Sequence, residues 1–322
     1  QRQMCIRDRA AAEGRWIPEG AMWVEPDTNM PSGESLVRQL LYGKAYFRKE
    51  FGVNSEILWL PDSFGYSGAL PQLLKDAGVK YLVTQKIFWS YNEGEEFPYH
   101  YFNWKGIDGT AVTAFLPTSY NYQTTPEEIG NVWKSRRQKR NLDSFLLPFG
   151  YGDGGGGPTR DHIEYALRQK DLEGGAAVEL KGPNDFFHDM EDKGGAADTW
   201  NGELYFSAHR GTYTTQAKTK ANNRRGEVVL RELEFWNTLA SKERCGALYT
   251  PEEMEELWKV LLLNQFHDIL PGSGIARVYE DAEREVEEMI RKAEADTRQI
   301  FHVLADREKQ DCLLYTSPSP RD

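Results

Sequence analysis

Three short stretches carry the side chains most able to do chemistry. "WLPDSFGYSG" sets Asp62 in an apolar run, directly after a proline and just before a Phe-Gly-Tyr turn. "FLLPFGYGDGGGGPT" sets Asp153 among glycines, and "LLLNQFHDILPGSG" ends an apolar run on the adjacent pair His267 and Asp268. Together they offer two separated catalytic carboxylates, plus a nitrogen and an oxygen ligand for a divalent metal. Each also has a plainer reading. Asp62 could simply form a turn or cap a helix, and His267 could be a favourable partner for a helix C-terminus. The loop around Asp153 could be merely flexible, or a phosphate cradle, although no Gly-Lys-Ser/Thr follows and Arg160 is the only cation nearby. What favours chemistry is the conjunction of all three.

The elements that must position these residues are legible from periodicity. "SEILWL" is a short apolar run of the kind that forms a buried strand, which puts Asp62 just past a strand's C-terminal end. "SGALPQLLKDAGV" follows with helical spacing, and "KYLVTQKI" predicts the next strand. Side chains at the carboxyl ends of strands in such units face the ligand crevice. "SLVRQLLYGKAYFRKEFG" and "RDHIEYALRQ" are helical by spacing, while "TAVTAFLP" and "DSFLLPFG" predict further strands, the second ending near Asp153. This alternation from about Ala10 to Glu203 implies a parallel sheet, open or closed into a barrel. After about residue 205 strand signals fade. "TKANNRRGEVVLRELEFWNTLAS" is helical, and "TPEEMEELWKVLLLNQ" opens with Thr250, Pro251 and Glu253 in a capping-box arrangement. A last helix sets Val278, Ala282, Val286, Met289, Ala293, Thr297 and Ile300 in one stripe. Three long helices in succession predict a bundle.

The chain has 322 residues, 39% of them hydrophobic, and a formal charge of −11. That length suggests roughly two domains. The charge disfavours a general nucleic-acid binder, so "KSRRQKR" and "KTKANNRR" are expected to be solvated faces. No run approaches the roughly 18 apolar residues of a membrane span, and no signal peptide is visible. The ends differ in pattern from the middle: "QRQMCIRDR" and "CLLYTSPSPRD" resemble translated sequencing-library adapter, so residues 1–9 and 310–322 are expected to be non-native tags. Cys5 and Cys312 then fall in the tags. Cys245 has no partner for a disulfide, and a reducing, cytoplasmic setting is expected.

Five segments, in order along the chain, resemble the α-mannosidases of glycoside hydrolase family 38, most of all the cytosolic and bacterial branch: "MWVEPDTNMPSGESLVRQ", "WLPDSFGYSGALPQ", "FGYGDGGGGPT", "GELYFSAHRGTYTTQ" and "LLLNQFHDILPGS". The resemblance implies an α/β fold: an incomplete seven-stranded (β/α) barrel over residues 10–204, followed by an all-α three-helix bundle, the helical middle domain, over residues 205–309. It implies retaining hydrolysis of terminal α-linked mannose from oligosaccharides or glycoconjugates, assisted by one zinc or cobalt ion. Asp62 becomes the nucleophile and a metal ligand, Asp153 the acid/base and His267 a second metal ligand. Asp268 is matched to a carboxylate that holds sugar hydroxyls, and Lys86 to a basic residue beside the nucleophile. Retaining chemistry of this kind sets the two carboxyl groups roughly 5–5.5 Å apart. The family draws two more metal ligands from a His-x-Asp motif on the first barrel strand. No such motif occurs among the six histidines here, so the first strand is expected to be missing and the fragment inactive by itself. The expected partner is a mannose-containing oligosaccharide, without nucleic acid or membrane, and a homo-oligomer is allowed. A zinc-dependent polysaccharide deacetylase is the rival within the barrel superfamily. A non-catalytic helical interaction module is the rival from another class.

Overall fold

The computed structural model describes residues 2–153, 156–243 and 248–315, with side chains described over 6–306. Cys245 and two loop glycines, Gly154 and Gly155, lie outside the described residues. Two compact units emerge, one of residues 1–29 and 36–210, the other of residues 30–35 and 211–322. The first carries α1 (Arg2–Ala12), most of α2 (Gly33–Phe51), β1 (Ile57–Trp59), α3 (Leu70–Asp76), β2 (Tyr81–Val83), α4 (Lys86–Trp89), β3 (Tyr101–Lys105), β4 (Ala111–Phe115), α5 (Pro126–Ser135), α6 (Arg160–Arg168), α7 (Pro183–Asp192) and β5 (Thr199–Asn201).

The five strands form one sheet in the order β1-β2-β4-β3-β5. β1, β2 and β4 run parallel, as the alternation predicts, with Ile57 opposite Tyr81 and Tyr81 opposite Thr113. β3 does not: it pairs antiparallel with β4, Phe102 facing Ala114, so the sheet is mixed rather than parallel. The "YFNWK" run of β3 and the "AVTAF" run of β4 are joined by a tight turn through Gly106 and Gly109, which makes a hairpin, the usual short link between antiparallel strands. A second difference lies at "DSFLLPFG". Among the described residues it carries no ladder, only an isolated bridge between Tyr122 and Phe149, where Pro148 has no N–H to donate to a further rung.

Both faces of the sheet are buried. Leu58, Leu82, Phe102, Trp104 and Ala114 point to one side, where Leu40 of α2 and Leu70 and Leu74 of α3 cover them. Ile57, Tyr81, Val83, Tyr101 and Phe115 point to the other, under Phe186, Phe187 and Met190 of α7. Tyr81 stacks on Phe187 at 4.3 Å. This period-two division explains why the strands look continuously apolar in sequence. α2 reaches its place through a glycine: a Cβ on Gly43 would lie 2.3 Å from the Met22 carbonyl carbon and 2.4 Å from the Ala21 oxygen. In a free helix Gly→Ala stabilises by about 1 kcal/mol. Gly43→Ala is expected to do the opposite, at a cost of about 1–3 kcal/mol from backbone overpacking. A denaturant midpoint that stays or rises in that variant would contradict the packing.

The second unit holds α8 (Ala217–Lys242), α9 (Pro251–Leu263) and α10 (Ala276–Tyr315), each in contact with the other two. Thr250 and Glu253 close the capping box at α9 as the sequence predicts. On α10 the stripe is buried at Ala282, Val286, Met289, Ala293, Thr297 and Ile300. The basic residues of α8 face acids on α10: Lys218 pairs with Glu283 at 2.9 Å and with Glu287 at 2.8 Å, and Arg225 pairs with Glu294. No described helix is long and apolar enough to cross a membrane.

Candidate active site

Asp62 stands where the strand reading put it. β1 ends at Trp59, Leu60 still donates its N–H to Val83 at 3.0 Å, and Pro61 and Asp62 then leave the sheet. The following turn is clamped from several sides. Ser63 Oγ donates to the Pro26 carbonyl at 2.8 Å, Thr28 Oγ1 to the Gly65 carbonyl at 2.7 Å, and the Tyr66 hydroxyl to the Leu60 carbonyl at 2.6 Å. Tyr66 is fully buried, and that burial pushes its phenol well above the usual range, so it stays a neutral donor. Gly65, at φ +102°, lies close to the Leu204 and Phe206 backbone, a conformation and a spacing that suit glycine alone.

Lys86 opens α4 directly after β2, and its ammonium forms an ion pair with Asp62 Oδ1. The two side chains are 11% and 24% exposed, so the pair is half-shielded from water and screened less than a surface pair. Lys86 Nζ also lies 4.6 Å from the Trp89 ring centroid and 5.9 Å from that of Phe64. Trp89 stacks on Phe206 at 5.6 Å, and Phe64 meets His209 edge-on at 4.9 Å. An aromatic wall therefore adjoins the carboxylate. Trp89 was not legible as part of it, since "KIFWS" gives no sign of which face its indole takes.

Asp153 sits at φ 51° in the glycine loop, exposed, and accepts a hydrogen bond from the Tyr120 hydroxyl at 2.8 Å. Gly150, at φ +114°, lies so close to Gly157 that a Cβ would come within 2.7 Å of its carbonyl carbon, and Tyr151 N–H donates to the Gly157 carbonyl at 3.0 Å. Tyr120 follows β4, a partner the sequence did not single out. Because β1, β2 and β4 are parallel neighbours, Asp62, Lys86 and Tyr120 all follow the carboxyl ends of strands, at the same end of the sheet. Adjacent strands are about 4.8 Å apart, so β1 and β4 are about 10 Å apart.

His267 and Asp268 belong to the second unit, in the turn that follows α9. His267 is 4% exposed, and its Nε2 is 3.6 Å from Asp268 Oδ2. Asp268 Oδ1 accepts from Ser273 Oγ at 2.7 Å. Among the described residues no three His, Cys, Asp or Glu side chains gather closely enough to hold a metal ion. Zinc usually takes at least three protein ligands, and the carboxylate of Asp62 is already engaged by an ammonium. The described donors do not by themselves fit a metal centre.

His100 is a core residue. It stacks on Phe88 at 4.3 Å, contacts the Leu116 carbonyl at 2.6 Å, and is pushed down to about 4 by burial. Glu19 moves the other way, to about 7, because burial outweighs the hydrogen bond from Asn184. A depressed histidine gives stability that is lost as pH falls from 6.5 through 4, and a raised carboxyl gives stability that is lost as pH rises from 4.5 through 7. The two slopes oppose each other. Glu19→Gln should therefore gain more stability at pH 8 than at pH 5, by on the order of 1–2 kcal/mol once partial exposure is discounted. Denaturant midpoints at both pH values check this, and an equal shift at the two would contradict it.

Against known proteins, the chain matches the N-terminal domain of glycosyl hydrolases family 38 over residues 3–203 and the α-mannosidase middle domain over residues 207–304. It is 42% identical over 274 residues to α-mannosidase 2C1 of Mus musculus, covering 84% of this chain and 26% of that protein. It is 39% identical over 283 residues to an α-mannosidase of Saccharomyces cerevisiae, covering 83% of this chain and 26% of that one. The chain thus spans about a quarter of the length of these relatives. In fold it is similar to the crystal structure of an α-mannosidase from Enterococcus faecalis V583, with a TM-score of 0.73 at 18% identity over 93% of this chain and 35% of that one. With one domain model covering most of the first unit and another most of the second, this chain belongs to glycosyl hydrolase family 38.

Proposed function

We propose that this chain is part of a retaining α-mannosidase, in which Asp62 attacks the anomeric carbon of a terminal α-linked mannose and Asp153 protonates the departing oxygen. The observation that carries the reading is the Asp62–Lys86 pair after β1 and β2, at the carboxyl end of the parallel strands, where Tyr120 follows β4 and donates to Asp153. The clamped turn after Asp62 fixes the attacking oxygen, so little orientational freedom is lost in the transition state. Lys86 keeps the carboxylate oriented before substrate arrives, with the rings of Trp89 and Phe64 beside its ammonium. Asp153, in its glycine loop, gives its proton to the leaving oxygen and then takes one from the incoming water, as retention requires. From the family resemblance, His267 is assigned the role of a metal ligand and Asp268 that of holding sugar hydroxyls. The sheet is assigned to a (β/α) barrel of seven strands, the substrate to mannose-containing oligosaccharides, and the setting to the cytoplasm.

A zinc or cobalt ion, when bound, would supply positive charge to the vicinal hydroxyl oxygens of the sugar. Of the four ligands that the family resemblance implies, Asp62 and His267 are the two assigned among the described residues. With two of the four, the 322-residue chain alone is expected to bind zinc weakly and to turn over an aryl α-mannoside negligibly. The reading itself is tested in a protein extended to the length of its relatives: proton NMR of the first-formed sugar should show α-mannose. First-formed β-mannose would refute double displacement. Tight zinc binding with full turnover by the short chain would refute the two-ligand account.

A further inference from the structure

We propose that Glu227 is a positioning residue, which through Ser35 and Gln265 fixes the turn that presents His267 and Asp268. Its carboxylate is buried in the second unit, 2% exposed, in the middle of α8. Glu227 Oε1 accepts the Ser32 N–H at 2.7 Å and the Ser35 hydroxyl at 2.8 Å, while Oε2 accepts from Arg224 at 2.7 Å. Ser35 Oγ in turn accepts from Gln265 Nε2 at 3.0 Å, and the same amide donates to Asn223 Oδ1 at 2.9 Å. Ser35 and Gln265 are both fully buried.

A buried carboxylate is tolerated only when its lone pairs are filled, and a filled network of this sort selects one geometry sharply. Its place in the chain gives it a use. Gln265 lies in the turn just past α9, where its N–H bonds to the Leu262 carbonyl and that of Phe266 to the Leu263 carbonyl, both three residues back. His267 is two residues further on. Beyond the pair, Lys220 Nζ donates to the carbonyls of Leu270 at 3.1 Å and Pro271 at 3.3 Å, and the Tyr279 hydroxyl contacts the Asp268 carbonyl at 3.5 Å. The turn is therefore held on both sides, and upstream the hold runs through the amide of Gln265 to a charged acceptor.

The role assigned to the turn rests on the mannosidase reading, whereas the hold itself does not, and the test separates them. The whole chain is prepared with ring-labelled histidine, and the His267 signal is identified by its loss in His267→Gln. Glu227→Ala and Ser35→Ala should each move the His267 ring nitrogens by more than a line width or split them. Glu227→Gln, which keeps an acceptor for Ser35, should restore the parent signal. Leu233→Ala, a core truncation elsewhere on α8, should lower stability and leave the signal in place. An unchanged signal in both Glu227→Ala and Ser35→Ala, or an equal change in Leu233→Ala, overturns the proposal. In parallel, a cationic iminosugar of manno configuration is titrated by calorimetry, with an affinity loss of about tenfold expected in Glu227→Ala and Ser35→Ala. If it fails to bind even the protein at its relatives' length, the mannose reading fails, and the ring signals still decide the role of Glu227.

Discussion

In a protein of the relatives' length, Asp62→Asn is expected to lower turnover of an aryl α-mannoside by on the order of 10⁴-fold or more. The cause is chemical. An amide oxygen does not attack the anomeric carbon to form a stable ester, and the ammonium of Lys86 that pairs with Asp62 has no lone pair to offer in its place. The substitution is nearly isosteric, and Ser63, Thr28 and Tyr66 clamp the turn that follows. Stability should therefore change little, and circular dichroism with a thermal melt distinguishes lost chemistry from lost fold. A variant retaining a tenth of the parent rate would place the nucleophile elsewhere.

Asp153→Asn should show a different signature, because a general acid matters in proportion to how poorly the leaving group departs unaided. With a sugar alcohol as leaving group the loss should be about 10²–10⁴-fold. With a dinitrophenyl mannoside the first step needs no proton, so the remaining loss lies in activating water, and azide, which needs no base, should recover much of the rate as mannosyl azide of α configuration. Tyr120 gives a reason to expect a sharp effect, since it fixes one carboxyl oxygen at 2.8 Å and leaves the other for the substrate. Equal losses on both substrates without azide rescue would remove Asp153 from the acid/base role.

The helices and the parallel strands were legible because their signals are local. Spacing along "SLVRQLLYGKAYF", the Thr250–Glu253 box and the stripe from Ala282 to Ile300 each depend on residues within a few turns. The antiparallel β3 was not, because "FPYHYFNWK" begins with an aromatic cluster and a proline, and its pairing with β4 is fixed by long-range burial of Phe102 and Trp104. "DSFLLPFG" misled in the other direction: its composition suits a strand, but among the described residues it makes only the isolated bridge between Tyr122 and Phe149. At the site, Asp62 could be placed from the strand that precedes it. Its pairing with Lys86 required knowing that β1 and β2 lie side by side, and the Tyr120–Asp153 bond joins segments 33 positions apart with no pattern between them. His267 and Asp268 stood out as a pair, whereas Glu227, on which their turn depends in our account, sits on α8 as one glutamate in an ordinary charged helix.

The measurement closest to the central claim is the identity of the residue that carries the sugar. A fluorinated mannosyl fluoride, whose substituent slows release of the glycosyl-enzyme, is added to a protein of the relatives' length, and the peptic fragments are sequenced by mass spectrometry. The account predicts one mannosyl unit, in an ester bond on Asp62 within "WLPDSFGYSG". A label on any other carboxylate, Asp153 and Asp268 included, or an adduct that still forms on Asp62→Asn, would contradict it.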